Sequence, residues 1–298
     1  MFFSRSKDFI DSPKKVIALF GMSGIGKTHS AKKFVRERNW FHYSVDYRIA
    51  SHYIGQSIKD VLYQEVAQSS VLKRMVAENA IDLSINILPP GITALSYYIG
   101  SPGNKAKGGI PFEEYMRRQC EHRACEVNAI LDIPSFIDKA WNLYGYDNVL
   151  CDMSGSFCEV VDGQNKNDTV LNTLARHALI LYVKHSDSHK EQLIETYKKK
   201  PKPISYNEEY ILNQWDSYLA THEVSADNVD PLDFAVFAFR NLLEWREPRY
   251  ENIAKYWGYV IEADQLRKVK DSNQFLQLIS NAIDSEQRLR DEMIEVRT

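Results

Sequence analysis

Gly21-Met22-Ser23-Gly24-Ile25-Gly26-Lys27-Thr28 fits G-x-x-x-x-G-K-[ST] at every position, and no other stretch constrains the chain as strongly. Before it, residues 14–20 (KKVIALF) form an apolar, β-branched run bounded by Pro13 and Gly21, which predicts a short buried strand. After it, a polar, Ala-containing pattern predicts a helix over about 27–38. Strand, glycine-rich loop and helix together form the context that gives this motif its meaning. The glycines let backbone N–H groups wrap a phosphate, and the helix N-terminus adds partial positive charge. Gly21, Ser23, Gly24, Ile25, Gly26, Lys27, Thr28 and His29 are therefore the candidate triphosphate-binding residues. Lys27 is expected to reach the β- and γ-phosphates, and Thr28 to offer its hydroxyl to Mg²⁺. The implied ligands are ATP and Mg²⁺.

Composition narrows the class. The chain has 298 residues, 44% hydrophobic and 26% charged, which is a globular balance and excludes a disordered polymer. With 37 basic and 40 acidic residues the formal charge is −3, so any attraction to nucleic acid has to come from a local basic groove. The apolar runs fall well short of the roughly 20 residues that span a bilayer, and MFFSRSKDF lacks a signal-peptide core. Four cysteines do not make a disulfide framework in a chain this long. A cytoplasmic protein without a membrane segment is expected.

A second strand is predicted at about 40–45 (WFHYSV), ending in Asp46. A carboxylate at the carboxyl end of the strand next to the loop strand lies in the crevice where open α/β sheets bind ligands. There Asp46 suits accepting a proton from an acceptor hydroxyl, or holding Mg²⁺ through water. The alternative is a helix N-cap.

From here the chain resembles the small P-loop kinases, the shikimate, gluconate and nucleotide kinase group. Asp46-Tyr47-Arg48-Ile49 followed by Gly55-Gln56-Ser57-Ile58-Lys59-Asp60 is similar to that group's D-x-x-I and G-x-S-I-x-E. Leu72-Lys73-Arg74 stands where the group has an acceptor-binding arginine. Lys198-Lys199-Lys200-Pro201-Lys202-Pro203-Ile204 resembles the lid segment, with Lys in place of Arg. Leu243-Glu244-Trp245-Arg246-Glu247-Pro248-Arg249-Tyr250 is similar to L-x-x-R-x-P-x-Y. The resemblance implies an α/β P-loop NTPase fold, three-layer α/β/α with a parallel sheet, and phosphoryl transfer from ATP to a hydroxyl. By the same resemblance Lys27, Asp46 and Arg246 are the catalytic candidates. Arg48, Arg74 and Arg246 are candidate acceptor-binding residues with Asp46, and Lys199, Lys200 and Lys202 would close over the phosphates. The group's triple glycine is absent, which counts against shikimate as acceptor. Its place is taken by Asn148-Val149-Leu150-Cys151-Asp152, read as a buried strand, and by the turn Ser154-Gly155-Ser156. Asp152 is the second metal candidate beside Thr28, with a loop cap as its alternative.

The chain reads as one domain, 1–298, with an acceptor-side insertion at about 85–146 and a helical lid or expansion at about 198–233. From Phe112 onward the insertion turns helical, and Arg117, Arg118, His122 and Arg123 give it a basic side. Arg117 and Arg118 suit an anionic acceptor, or else form ion pairs with the interleaved Glu113, Glu114, Glu121 and Glu126. Tyr210, Ile211, Gln214, Trp215 and Tyr218 form an aromatic stripe, expected as core or as the contact of a homodimer. Cys120 and His122 are about 200° apart on a helix, which argues against zinc. Three functions stay open: a kinase for a small polar metabolite or nucleoside, a kinase acting on nucleic acid such as hydroxymethyluracil in phage DNA, and a regulatory ATPase.

Overall fold

A computed structural model describes residues 3, 5–35, 37 and 39–295. Among them are five strands: β1 (Val16–Phe20), β2 (Trp40–Ser44), β3 (Asn148–Asp152), β4 (Leu179–Lys184) and β5 (Gly258–Glu262). All pair in parallel, in the order β2-β3-β1-β4-β5. A parallel sheet is covered on both faces, so its strands read as continuous apolar runs instead of alternating ones. VIALF of β1 and NVLCD of β3 are buried at all five positions.

The helices are α1 (Ser6–Asp11), α2 (Lys27–Val35), α3 (Val45–Arg48), α4 (Gly55–Gln68), α5 (Ser70–Ala77), α6 (Ile92–Ile99), α7 (Phe112–Leu131) and α8 (Ile133–Asn142). They continue as α9 (Phe157–Val160), α10 (Thr169–His177), α11 (Asp187–Lys199), α12 (Glu208–His222), α13 (Pro231–Trp257), α14 (Ala263–Lys268) and α15 (Ser272–Glu295). One layer carries α2 against β2 and β3, with α15 on β5 and α1 on α15. The other carries α8 on β2 and β3, α10 on β4, and α13 on β4 and β5. The expected helix at 27–38 ends at Val35; Arg36 and Arg38 lie outside the described residues.

Two features differ from the sequence reading. The strand ending at Asp46 does not neighbour the loop strand, because β3 lies between β2 and β1. The stretch expected as an insertion also supplies part of the sheet's cover: Ile133, Ile137 and Ala140 of α8 are buried, and this helix lies on β2 and β3. The aromatic stripe of α12 is spent inside the chain. Trp215 meets Phe112 face to face at 4.4 Å and Phe234 edge-on at 5.0 Å, and the Tyr210 hydroxyl donates to the Ala238 carbonyl at 2.6 Å. No subunit contact is needed to bury it.

Candidate active site

Register decides which groups meet at the top of the sheet. Asp152 of β3 stands opposite Leu19 on one side and Ser44 on the other. The loop after β1, the carboxylate ending β3 and the residues just past β2 therefore open into one crevice. Asp46 enters it from the first turn of α3. The N-cap of that helix is Ser44, whose side chain accepts from the Tyr47 amide, so Asp46 is not the cap.

The phosphate loop packs tightly. Gly24 has a φ of 89°, and a Cβ there would lie 2.8 Å from Leu193 of α11. The Ile25 side chain is core, 1% exposed, so that residue faces the crevice only through its backbone. Gly21 closes the loop against the Val183 carbonyl. A cavity of about 190 Å³ sits over the loop, lined by Ser23, Gly24, Gly26, Lys27, Thr28 and His29, with Asp46, Ile92, Met153 and Gly155. Lys27 is buried and donates to the carbonyls of Gly21 and Met22 at 2.7 and 3.0 Å. Burial pulls its pKa down, while Asp152 and Asp46 pull it up. Thr28 donates its hydroxyl to Asp152 at 2.6 Å, so that carboxylate serves the loop and not a turn cap. His42 Nε2 lies 3.7 Å from the same carboxylate.

A second, smaller cavity of about 40 Å³, room for about three waters, adjoins the first. Ser23, Asp46, Ile92 and Gly155 line both. The rest of its wall comes from Leu95, Ser96 and Ile99 of α6, His122 of α7, Ser154 and Ser156 after β3, the segment 203–205, and Arg246 of α13. Helix α6 reaches the cleft because Gly91, at φ 81°, lets the chain approach α3; a Cβ there would be 2.9 Å from Tyr47 Cα. Asp46 stands between the cavities. Burial and nearby Asp152 raise its pKa to about 6, against the pull of Lys27 and Lys202.

The predicted arginines are placed unevenly. Arg246 lines the second cavity and is 2% exposed, in the middle of α13, which runs through Pro248 to Trp257; it caps no helix end. Its guanidinium pairs with Glu159 at 2.5 Å and donates to the Ser205 carbonyl at 2.8 Å, so its charge is already matched. Arg48 turns to Asp132 at 2.7 Å and stacks over Tyr53 and Phe136. Arg74 is exposed and pairs with Glu78. Arg117 bonds Glu114 and Glu121, Arg118 bonds Glu114 and the Tyr98 carbonyl, and Arg123 faces Glu208 of α12, so the arginines of α7 are matched by acids of α7 and α12. Arg48, Arg74, Arg117 and Arg118 line neither cavity. Lys199 and Lys200 are exposed at the end of α11, away from both linings, and Lys202 is exposed but close enough to act on Asp46.

The side chains that sequence reasoning missed lie on α7. Gln119, His122 and Glu126 follow three- and four-residue spacings and are all buried. The Gln119 amide donates to the Ile204 carbonyl at 3.2 Å and accepts from the Tyr206 amide at 3.0 Å, clasping the segment expected to be a lid. Glu126 accepts hydroxyls from Ser154 and, at 2.6 Å, Ser156. Burial lifts its pKa to about 7 despite those bonds. His122 is pushed down to about 4 by burial and by Arg246, so its ring is neutral at pH 7. The signal was there: these three continue the spacing of Tyr115, which is also buried.

Among the described residues no three His, Cys, Asp or Glu side chains converge as a metal cage, and no helix is long and apolar enough to cross a membrane. No protein-family model matches the chain, and no curated protein matches it. Among solved structures the chain is similar to shikimate kinase from Bacteroides thetaiotaomicron, at 15% identity and a TM-score of 0.34, covering 94% of this chain and 98% of that one. A likeness of that size carries no argument about the reaction.

Proposed function

We propose that this protein is a phosphotransferase that moves the γ-phosphoryl group of ATP to a hydroxyl of a small polar acceptor. The observation that carries the reading is Asp46, which lines both the cavity over the phosphate loop and the pocket beside it. A carboxylate at that junction can meet a hydroxyl from one side and a γ-phosphate from the other, which is what transfer requires.

Phosphoryl transfer demands positioning and charge neutralisation more than covalent chemistry. The loop N–H groups from Gly21 to Thr28 orient the triphosphate, and Lys27 exchanges its two loop carbonyls for phosphate oxygens. Thr28 and Asp152 form an all-oxygen donor pair that fits Mg²⁺, a hard cation satisfied by one or two protein oxygens plus phosphate and water. Held by Thr28 and Asp152, such an ion would supply positive charge against the charge that develops on the phosphate oxygens. Asp46, at a pKa of about 6, is ionised above that pH and takes the acceptor proton. Leu95, Ile99, Pro203 and Ile204 give the pocket an apolar wall, which limits transfer to water.

A nucleic-acid acceptor is less favoured. It calls for a continuous basic surface from α7 to residues 198–202, and the α7 arginines are engaged by Glu114 and Glu121. The test is turnover of γ-labelled ATP, alone and with a pooled metabolite extract, single-stranded DNA, or duplex DNA containing hydroxymethyluracil. Label in a small molecule supports the reading, and label in polymer transfers it to nucleic acid. Free phosphate alone, unchanged by any acceptor, makes the protein a regulatory ATPase. Lys27→Ala is the control and abolishes turnover in every case.

A further inference from the structure

The electrostatics of the second pocket bear on which hydroxyl compounds it admits. Among the described residues Arg246 is the single cation in its wall, and that guanidinium is committed to Glu159 and to the Ser205 carbonyl. Glu159 and Arg246 cancel, and Glu126, behind Ser154 and Ser156, holds its proton up to about pH 7, so Asp46 is the carboxylate that gives the pocket its charge. Arg48, Arg117 and Arg118 are held elsewhere by Asp132, Glu114 and Glu121. Lys27 belongs to the phosphate side, and Lys202 is exposed beside Asp46. A carboxylate or phosphate on the acceptor would add negative charge beside Asp46 with no unpaired arginine in the pocket lining, among the described residues, to meet it.

What the pocket does offer is neutral hydrogen bonding. Ser96, Ser154 and Ser156 line it, each with a hydroxyl that donates and accepts. His122 lines it as well, 3% exposed, and its Nδ1 has no hydrogen-bond partner. The nearest carboxylate oxygen, on Glu126, is 3.8 Å away, too far for a hydrogen bond. A buried ring nitrogen left unpaired is costly and calls for a ligand group.

Resting on the phosphotransfer reading, we propose that the acceptor is an uncharged polyhydroxy compound whose hydroxyl-bearing end enters this pocket, with His122 as the residue that selects it. A second hydroxyl of the acceptor pairs with the His122 ring, while the reacting hydroxyl lies at Asp46. In the transfer step the reacting O–H gives its proton to the Asp46 carboxylate and its oxygen forms a bond to the γ-phosphorus. The bond from that phosphorus to the β–γ bridging oxygen breaks, and ADP leaves with the bridging oxygen.

The test uses the full chain with Mg²⁺ and γ-labelled ATP on matched probes: glycerol against glycerate, ribose against ribose 5-phosphate, and thymidine against thymidine monophosphate. The expected result is label in a neutral member with kcat/KM roughly 100-fold above its charged partner. Preference for the charged members overturns the neutral-acceptor inference and leaves phosphotransfer standing. Free phosphate without any labelled probe overturns both. His122→Leu is expected to raise the KM of the neutral acceptor roughly 10- to 100-fold with ATP affinity unchanged. His122→Gln, which restores a hydrogen-bonding group, is expected to recover most of that loss. Equal KM values in wild type and His122→Leu, or equal losses in both variants, would remove His122 from acceptor selection.

Discussion

The phosphate cavity and the pocket beside it are built by opposite means. Six of the ten residues around the first come from the single stretch Ser23 to His29, and a backbone fold of glycines does most of the shaping. The second draws one or a few side chains from α6, α7, the turn after β3, the segment 203–205 and α13. A pocket shaped by backbone keeps its chemistry when surrounding side chains change. One assembled from distant side chains changes its ligand with each substitution, and can do so while the first still binds triphosphate. Asp46 belongs to both, so it is where the contrast can be broken most sharply.

Asp46→Asn is expected to have the largest effect on the second pocket's chemistry. Transfer should fall roughly 10²- to 10⁴-fold while ATP affinity stays within a few-fold. Equilibrium binding of ATP, measured beside single-turnover transfer, separates the two. The wild-type kcat/KM for acceptor should rise as pH climbs through about 6, because only the ionised carboxylate takes a proton. The Asn variant should lose that limb. Normal transfer by Asp46→Asn would remove it as base.

Arg246→Ala should strike stability instead of chemistry. It leaves Glu159 buried without its partner, at a cost of about 3–5 kcal/mol in urea or thermal unfolding. Replacing both residues by apolar ones of similar volume should restore much of this. A double variant as unstable as the single one would mean that the Ser205 contact, and not the ion pair, carries the stability.

Glu126 gives a subtler, pH-linked effect. Its folded pKa of about 7 exceeds the ordinary value of 4.5, so the folded state holds a proton that the unfolded chain has released. That stabilisation is complete below about pH 4.5 and is lost as pH rises through about 7, on the order of 3 kcal/mol in all. Glu126→Gln should be less pH-dependent over this window than wild type, as unfolding curves at pH 5 and 8 would show. An unchanged difference between those two curves would place the titration elsewhere.

Arg117→Ala should do least. Its partners are on its own helix and it lines neither pocket, so acceptor kcat/KM should stay within about twofold. A tenfold loss would reopen the reading of α7 as an anion-binding helix.

Legibility in the sequence follows the same divide. The strand, loop and helix around Gly21–Thr28 could be read because each depends on contiguous residues. Asp152 could be read too, as the end of an apolar strand. The strand order could not: that β3 lies between β2 and β1 is decided by pairing across more than 100 residues. The roles of Gln119, His122 and Glu126 were hidden for another reason. A polar residue in a helical stripe looks like a solvated face unless its buried partners are known, and here those partners are Ile204, Ser154 and Ser156. Arg246 was picked out by its motif, but its engagement by Glu159 joins residues 87 positions apart.

Gly155 touches Ser23, and a Cβ at that glycine would collide with the serine side chain. At the seam between the two pockets, a larger residue at 155 would make the Ser23 hydroxyl turn aside and the phosphate loop give by a few tenths of an ångström. Tyr250 reinforces the seam from below by donating to the Gly155 carbonyl. On the phosphotransfer reading proposed above, this bears on where a change of acceptor can be sought. Variation at Leu95, Ser96 or Ile99 of α6, at His122 and along 203–205 alters the second pocket alone, whereas a substitution at Gly155 also disturbs Ser23 of the loop and should weaken nucleotide binding, as titration with ATP would show.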